Sequence, residues 1–198
     1  MGVEERMADR CNTIRLYSFQ TDVVYQVLKR DGVCYSKEEY VRKKYKESAK
    51  VFINAYGWFV KEAQHIVPKP EGAEYPYWAF TDLYNVDQTG DGHVLTLDVP
   101  IGEAILFDMF DWTKIMQMHY IGENESEEAA FSEKLKNMGM DEFQIMTSNF
   151  YPEQKARIQE SWKRLFGHQQ AIEAGDNSGV HSVQAGLWCI KDEWIVKE

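Results

Sequence analysis

The chain has 198 residues, of which 44% are apolar and 14% aromatic, and its formal net charge is −10. This length suits one sizeable domain, and a disordered chain would be poorer in both residue classes. The acidic balance, with no block of consecutive Lys and Arg, argues against a nucleic-acid partner, because such binding needs cations that displace counterions from phosphates.

The three cysteines and five histidines show no paired spacing typical of a metal site, so no metal is predicted. An odd cysteine number without an apolar leader predicts reduced thiols and a cytoplasmic protein. The sequence contains no run of about 18 apolar residues, so no membrane span is predicted. We expect a single domain over residues 1–198, with residues 1–13 as a poorly ordered N-terminal tail.

The elements expected in the first half are a strand over 14–19, helices over 22–30 and 37–65, an aromatic strand over 75–84 and a strand over 93–100. Thr21 and Gly32 are typical of the two ends of the first helix. Ser36 with Glu39 has the spacing of a capping box and predicts the start of the second helix.

The second half is expected to hold a strand over 103–108, a short helix near 112–120, helices over 127–138 and 153–166, a polar loop over 167–180 and a strand over 181–190. Ser126 and Gly139 are the expected ends of the first long helix, and Pro152 opens the second. Strands and helices mix without a regular βαβ rhythm. The pattern therefore predicts the α+β class, with a mixed, largely antiparallel (split) sheet and flanking helices.

The segment "DQTGDGHVLTLD" resembles a calcium-binding loop. Asp87, Thr89 and Asp91 take its first, third and fifth places, Gly92 the sixth and Asp98 the twelfth. However, Asp98 lies in a β-like run, and its position favours the longer Glu. Asp and Gly are also what a hairpin turn selects, so a hairpin is the favoured interpretation.

The aromatic strand "YPYWAF" has aromatic rings on both faces. Alternation places Tyr75, Tyr77 and Ala79 on one face and Trp78 and Phe80 on the other. One of the faces could therefore line a pocket in which a planar ring stacks.

A polar amide interrupts the C-terminal strand "HSVQAGLWCI". Gln184, Gly186 and Trp188 share one face, and a buried amide requires hydrogen-bond partners. A glycine beside the amide leaves a hollow in which a ligand can approach the backbone. One interpretation is a ligand cleft with Trp188 as its floor, and the alternative is an edge strand with Gln184 in water.

The segments "LYSFQTDVVYQVLKRDGVCYS", "YPYWAF", "VLTLDVP", "SWKRLF" and "VQAGLW" resemble, in this order, a bacterial and phage family known only as domain of unknown function 3841. The resemblance spans most of the chain, from Leu16 to Ile195, and implies no activity. More distantly, the layout is similar to the ADP-ribosyltransferase fold, whose DNA-modifying members begin with a strand carrying Tyr and then Arg or His. They end with a strand reading roughly Gln-Ala-Glu.

That distant resemblance implies a cleft without the usual catalytic pair. Ser18 stands at the place of the residue that holds NAD, and Gly186 stands at the place of the catalytic Glu, whose charge glycine cannot supply. An active NAD-dependent transferase would need relocated groups, for example Arg15 with Glu193 or Glu160.

The leading hypothesis is an ADP-ribosyltransferase-like fold whose cleft binds a nucleotide-like ligand or a protein partner. The candidate ligand-binding residues are Gln184, Gly186, Trp188, Tyr17, Trp78 and Arg15. NAD is the one cofactor suggested. The alternatives are the transferase with relocated groups and an interaction protein without a ligand cleft. If the cleft is open, Gly186→Glu should fold with near-native stability.

Overall fold

The structure, a computed structural model, describes residues 12–45 and 49–197. The strands are β1 (Thr13–Gln20), β2 (Val33–Tyr35), β3 (Tyr77–Phe80), β4 (His93–Pro100), β5 (Ala104–Asp108), β6 (Val183–Leu187) and β7 (Cys189–Lys191). The tail predicted for residues 1–13 is too long at its end, because Thr13 already belongs to β1. Residues 1–11 of that predicted tail lie outside the described part.

The helices are α1 (Asp22–Asp31), α2 (Glu38–Tyr45), α3 (Ala49–Ala63), α4 (Met109–Met116), α5 (Glu125–Asn137), α6 (Glu142–Thr147), α7 (Pro152–Ser161) and α8 (Gln169–Glu173). A 3-10 segment, Trp162–His168, continues α7. None of the described helices is long and apolar enough to cross a bilayer.

Five strands form one sheet in the order β4-β1-β3-β6-β5, and β2 pairs with β7 in a second sheet. Every neighbouring pair is antiparallel. The α+β class and the largely antiparallel sheet predicted from the sequence are therefore confirmed.

The five-stranded sheet is curled, because its two edge strands are consecutive in the chain. Only Ile101–Glu103 joins the end of β4 to the start of β5. Four residue steps reach at most about 14 Å, whereas four strand spacings would separate the edges of a flat sheet by about 19 Å. The edges must approach each other at this end.

Alternation along the strands supplies two cores, one on each face of the sheet. The aromatic core lies against α3 to α7 and includes Tyr56, Trp58, Phe59, Phe107, Trp112, Trp162 and Trp188. The aliphatic core lies against α1, β2 and β7 and includes Leu16, Leu28, Leu97, Leu106, Ala185, Leu187 and Ile190. Burial of both faces explains why β5 and β6 contain no exposed residue.

The free edge of β5 is closed by a side chain. Gln169, 6% exposed, accepts a hydrogen bond from the backbone N–H of Leu106 at 2.5 Å and donates to the carbonyl of Ala104 at 3.1 Å. Its amide thus satisfies two of the backbone groups that a sixth strand would pair. On the other edge, Ile195 bridges to Leu97.

Several predicted helix ends are corrected. The α2 N-terminus is capped by Glu74, whose carboxylate accepts from the backbone N–H of Glu38 at 2.8 Å, and not by the Ser36 box. The cap of α5 is Asn124, two residues before the predicted Ser126. Helices α6 and α8 were missed, and residues 46–48 of the predicted long helix lie outside the described part.

The segment "DQTGDG" is not a hairpin turn, because β1 lies between β3 and β4. It belongs to a crossover loop in which Asp87 accepts hydrogen bonds from the backbone and hydroxyl of Thr89. Asp98 lies within β4 and pairs with Arg15. The twelve positions therefore do not fold as a calcium-binding loop.

Candidate ligand-binding site

Strand β6 lies inside the sheet, between β3 and β5, and it carries Gln184 and Gly186. Gln184 is opposite Phe80 on one side and Phe107 on the other. The interpretation of Gln184 as an edge-strand residue in water is wrong, since the residue is 3% exposed.

The hollow expected over Gly186 is filled. A Cβ atom built on Gly186 would lie 2.8 Å from Cζ of Phe59 and 3.5 Å from Cβ of Pro76. Phe59 is fully buried, and its ring packs against Trp78 and Trp112 at centroid distances of 5.1 and 5.3 Å. The open cleft at Gly186 is thus corrected to a close contact between the sheet and α3.

The two tryptophans proposed for the cleft belong to the aromatic packing. Trp188 is 3% exposed, and its indole N–H donates to the carbonyl of Val67 at 2.8 Å. The indole N–H of Trp78 donates to the hydroxyl of Tyr56 at 2.9 Å, and the ring centroids of Trp78 and Trp112 are 4.8 Å apart. Trp188 is therefore a core residue rather than a cleft floor.

Ser18 has a structural role on the opposite face. It is fully buried, its hydroxyl donates to the carbonyl of Trp78 at 2.7 Å, and the Gln20 amide donates to it at 2.8 Å. These bonds explain the polar residue in β1 without a ligand.

One part of the sheet face is less deeply buried than the rest. We call it the open sheet face and define it by Arg15, Tyr17, Phe80 and Thr96, with Gln184 at its border. Register places Thr96, Tyr17, Phe80 and Gln184 in one row across four strands. Tyr17 and Phe80 are half-buried and belong to neither core.

The charge of Arg15 on this face is already balanced. Its guanidinium donates to both carboxylate oxygens of Asp98, at 2.5 and 3.1 Å, and both side chains are about half exposed. The relocated acids of the transferase hypothesis lie in other elements: Glu160 pairs with Lys163, and Glu193 lies in a 3-10 turn after β7. Arg15 therefore pairs with Asp98 and with neither Glu160 nor Glu193.

The Gln184 amide has no hydrogen bond to any described residue, although its strand is buried throughout. Within the described residues, no fully buried polar side-chain atom lacks a partner. The amide therefore keeps contact with solvent at the border of the open sheet face, while the rest of Gln184 is covered.

A histidine–aspartate pair at one end of the sheet was not predicted from the sequence. Asp108 accepts from the backbone N–H and Nδ1 of His181, at 3.0 and 2.9 Å, and from the N–H of Phe110 at 2.9 Å. Burial acts to raise the pKa of Asp108, but these hydrogen bonds outweigh it and lower the pKa. No sequence signal connects two residues so far apart in the chain.

The described part of the chain holds no group of three His, Cys, Asp or Glu side chains arranged for a metal ion. The fold and the site define an α+β protein with a curled antiparallel sheet, two cores and one partly exposed sheet face.

The chain belongs to the family described as "Domain of unknown function (DUF3841)", which matches residues 15–196. No curated protein and no solved structure shows significant similarity to the chain.

Proposed function

We propose that the protein binds a small nucleotide-like ligand on the open sheet face, with the amide of Gln184 as the group that recognises it. The observation that carries this proposal is the 3% exposed Gln184, whose amide bonds to no described residue. Because no fully buried polar atom of the described residues lacks a partner, this amide still reaches solvent. A ligand with a matching donor and acceptor would replace that solvent contact with direct hydrogen bonds.

The neighbouring side chains suit such a ligand. The rings of Tyr17 and Phe80 lie in the same row as Gln184 and offer surfaces on which a planar base can stack. A Gln amide can bond to the donor and acceptor of one adenine edge. Arg15, once it exchanges Asp98 for a phosphate, would hold the charged end of the ligand.

Of the predicted ligand-binding residues, this proposal keeps Gln184, Tyr17 and Arg15 and assigns Trp78, Gly186 and Trp188 to the support behind them. The ADP-ribosyltransferase-like relationship and a cytoplasmic location remain part of the proposal. A ligand held in this way would be bound without being cleaved, because Ser18 and Gly186 supply no charge where that chemistry needs it.

The test is calorimetric titration of the protein with AMP, ADP-ribose and NAD. We expect binding of at least one of them, weakened about tenfold or more by Gln184→Met, which removes the amide and preserves the length of the side chain. The melting temperature of Gln184→Met should be unchanged or raised. The matched control is Gln170→Met, at an exposed position on α8, which should bind like the unaltered protein.

Three results would overturn the proposal. Absence of binding for all three compounds at millimolar concentration would favour an interaction protein without a ligand site. Release of nicotinamide from NAD would favour an active transferase. Binding unaffected by Gln184→Met would place the ligand elsewhere.

A further inference from the structure

A groove on the far side of the aromatic core concentrates positive charge. It has a volume of 490 Å³ and is lined by Tyr120, Arg157, Glu160, Ser161, Lys163 and Arg164. Three of these six side chains are cations and one is an anion, in a chain whose acidic residues outnumber its basic ones by 32 to 22. The groove lies along α7 and the 3-10 segment that continues it.

Arg157 forms no ion pair within 4.0 Å among the described residues, although Glu127 is close enough for its carboxylate to interact with the Arg157 charge. Its guanidinium carbon lies 5.1 Å from the ring centroid of Phe131 and 5.9 Å from that of Tyr120. These two rings stack on each other at 4.3 Å. Contact with a ring occupies the face of the guanidinium plane and leaves its N–H edge free for an oxyanion.

The other two cations are held by weak pairs. Arg164 donates to the carbonyl of Ile121 at 3.0 Å and lies 3.4 Å from Glu123 and 3.9 Å from Glu127. Lys163 lies 2.7 Å from Glu160. Glu123 and Glu160 are more than 70% exposed, and Glu127 is 36% exposed. Exposed ion pairs contribute little, so a dianion can replace them.

A second groove shares Arg157 with the first and has a volume of 230 Å³. Its lining combines apolar with polar side chains: Phe131, Leu135 and Met138, and Lys134, Glu153, Gln154 and Arg157. Met138 is 52% exposed. A molecule that places a negative group at Arg157 can therefore extend an apolar part over this surface.

We propose that these joined grooves bind a small phosphate-bearing molecule whose uncharged part is apolar. The phosphate lies between Arg157 and Arg164, with Lys163 beside it, and the apolar part covers Met138. Arg forks suit phosphate oxygens, with which they form paired hydrogen bonds. This site is separate from the open sheet face and does not depend on Gln184.

The test uses phenyl phosphate as the probe, with inorganic phosphate and phenol as its two halves, and binding is followed by NMR titration of the full chain. We expect phenyl phosphate to bind best, and raised salt to weaken its binding, because charge attraction is screened. Arg157→Gln should weaken binding about tenfold. Met138→Ser should remove the advantage of phenyl phosphate over inorganic phosphate.

The matched control is Arg30→Gln, which alters an exposed arginine on α1 that pairs with Asp31 and should leave binding unchanged. Gln184→Met should also leave it unchanged, so failure of one site is distinguishable from failure of the other. Equal effects of Arg30→Gln and Arg157→Gln would show general charge attraction and overturn the proposal. Binding of phenol as strong as that of phenyl phosphate would also overturn it.

Discussion

Replacing Gly186 by alanine should destabilise the protein, because the new methyl group has no room. The added Cβ would lie 2.8 Å from Cζ of Phe59, whereas carbon atoms in good contact lie about 3.5–4.0 Å apart. The ring of Phe59 must therefore move by about 0.7 Å or more, against rings on Trp78, Phe107 and Trp112. Overpacking of this kind costs about 1–3 kcal/mol.

The effect of Gly186→Ala on the backbone opposes this loss of stability. Alanine is favoured over glycine within a strand by about 0.5–1 kcal/mol, so the expected net loss for Gly186→Ala is about 1 kcal/mol. Gly186→Glu should lose more, because it also brings a carboxylate into the aromatic core. The near-native stability of Gly186→Glu that the sequence led us to expect is therefore no longer predicted.

Urea unfolding of each variant, followed by circular dichroism, measures these changes. Gly57→Ala is the matched control: Gly57 is an exposed residue inside α3, and an added Cβ meets nothing within 4 Å, so this variant should be stabilised by up to about 1 kcal/mol. In a Phe59→Leu background, Gly186→Ala should cost less. Stability of Gly186→Ala at or above that of the unaltered protein would refute the packing argument.

Three further predictions concern other buried groups. Trp162→Ala should cost about 3–5 kcal/mol in urea unfolding, since Trp162 is fully buried and donates to the carbonyl of His119 at 2.6 Å; a loss below about 1 kcal/mol would contradict its core position. The lowered pKa of Asp108 means that its bonds to His181 stabilise the fold above about pH 4, and that this contribution disappears as the pH falls through the folded pKa. The stability difference between the unaltered protein and Asp108→Asn should therefore shrink in acid, and a constant difference would contradict the assignment. Burial raises the pKa of Glu142 to about 7, so stability should fall as the pH rises from about 4.5 to 7, and Glu142→Gln should remove that fall.

Local sequence signals predicted the elements of the fold but not their neighbours. Alternation identified β1 and β4, and Gly32 ends α1 in the left-handed conformation with φ of 76°. The cap of α2 was missed because Glu74 comes from a separate loop. The hairpin was wrong because strand order depends on contacts between distant segments, which alternation does not encode.

The same limit applied to the candidate site. The sequence showed a glycine beside an amide in β6, and hence a gap in the sheet surface. It could not show that Phe59, far away in the chain, fills the gap over Gly186 and leaves the amide of Gln184 at the border. The pair of Asp108 and His181 was invisible for the same reason, since its two members meet only when β5 and β6 pair.

The Gln169 amide limits how the edge of the sheet can associate with other protein chains. An unpaired sheet edge is a template on which a foreign strand can grow, and this is a common route both to peptide capture and to aggregation. Gln169 occupies the hydrogen-bonding groups of Leu106 and Ala104 that such a strand would need, and Val196 donates to the carbonyl of Thr96 on the opposite edge. At these positions, association must therefore depend on side-chain contacts and not on extension of the sheet.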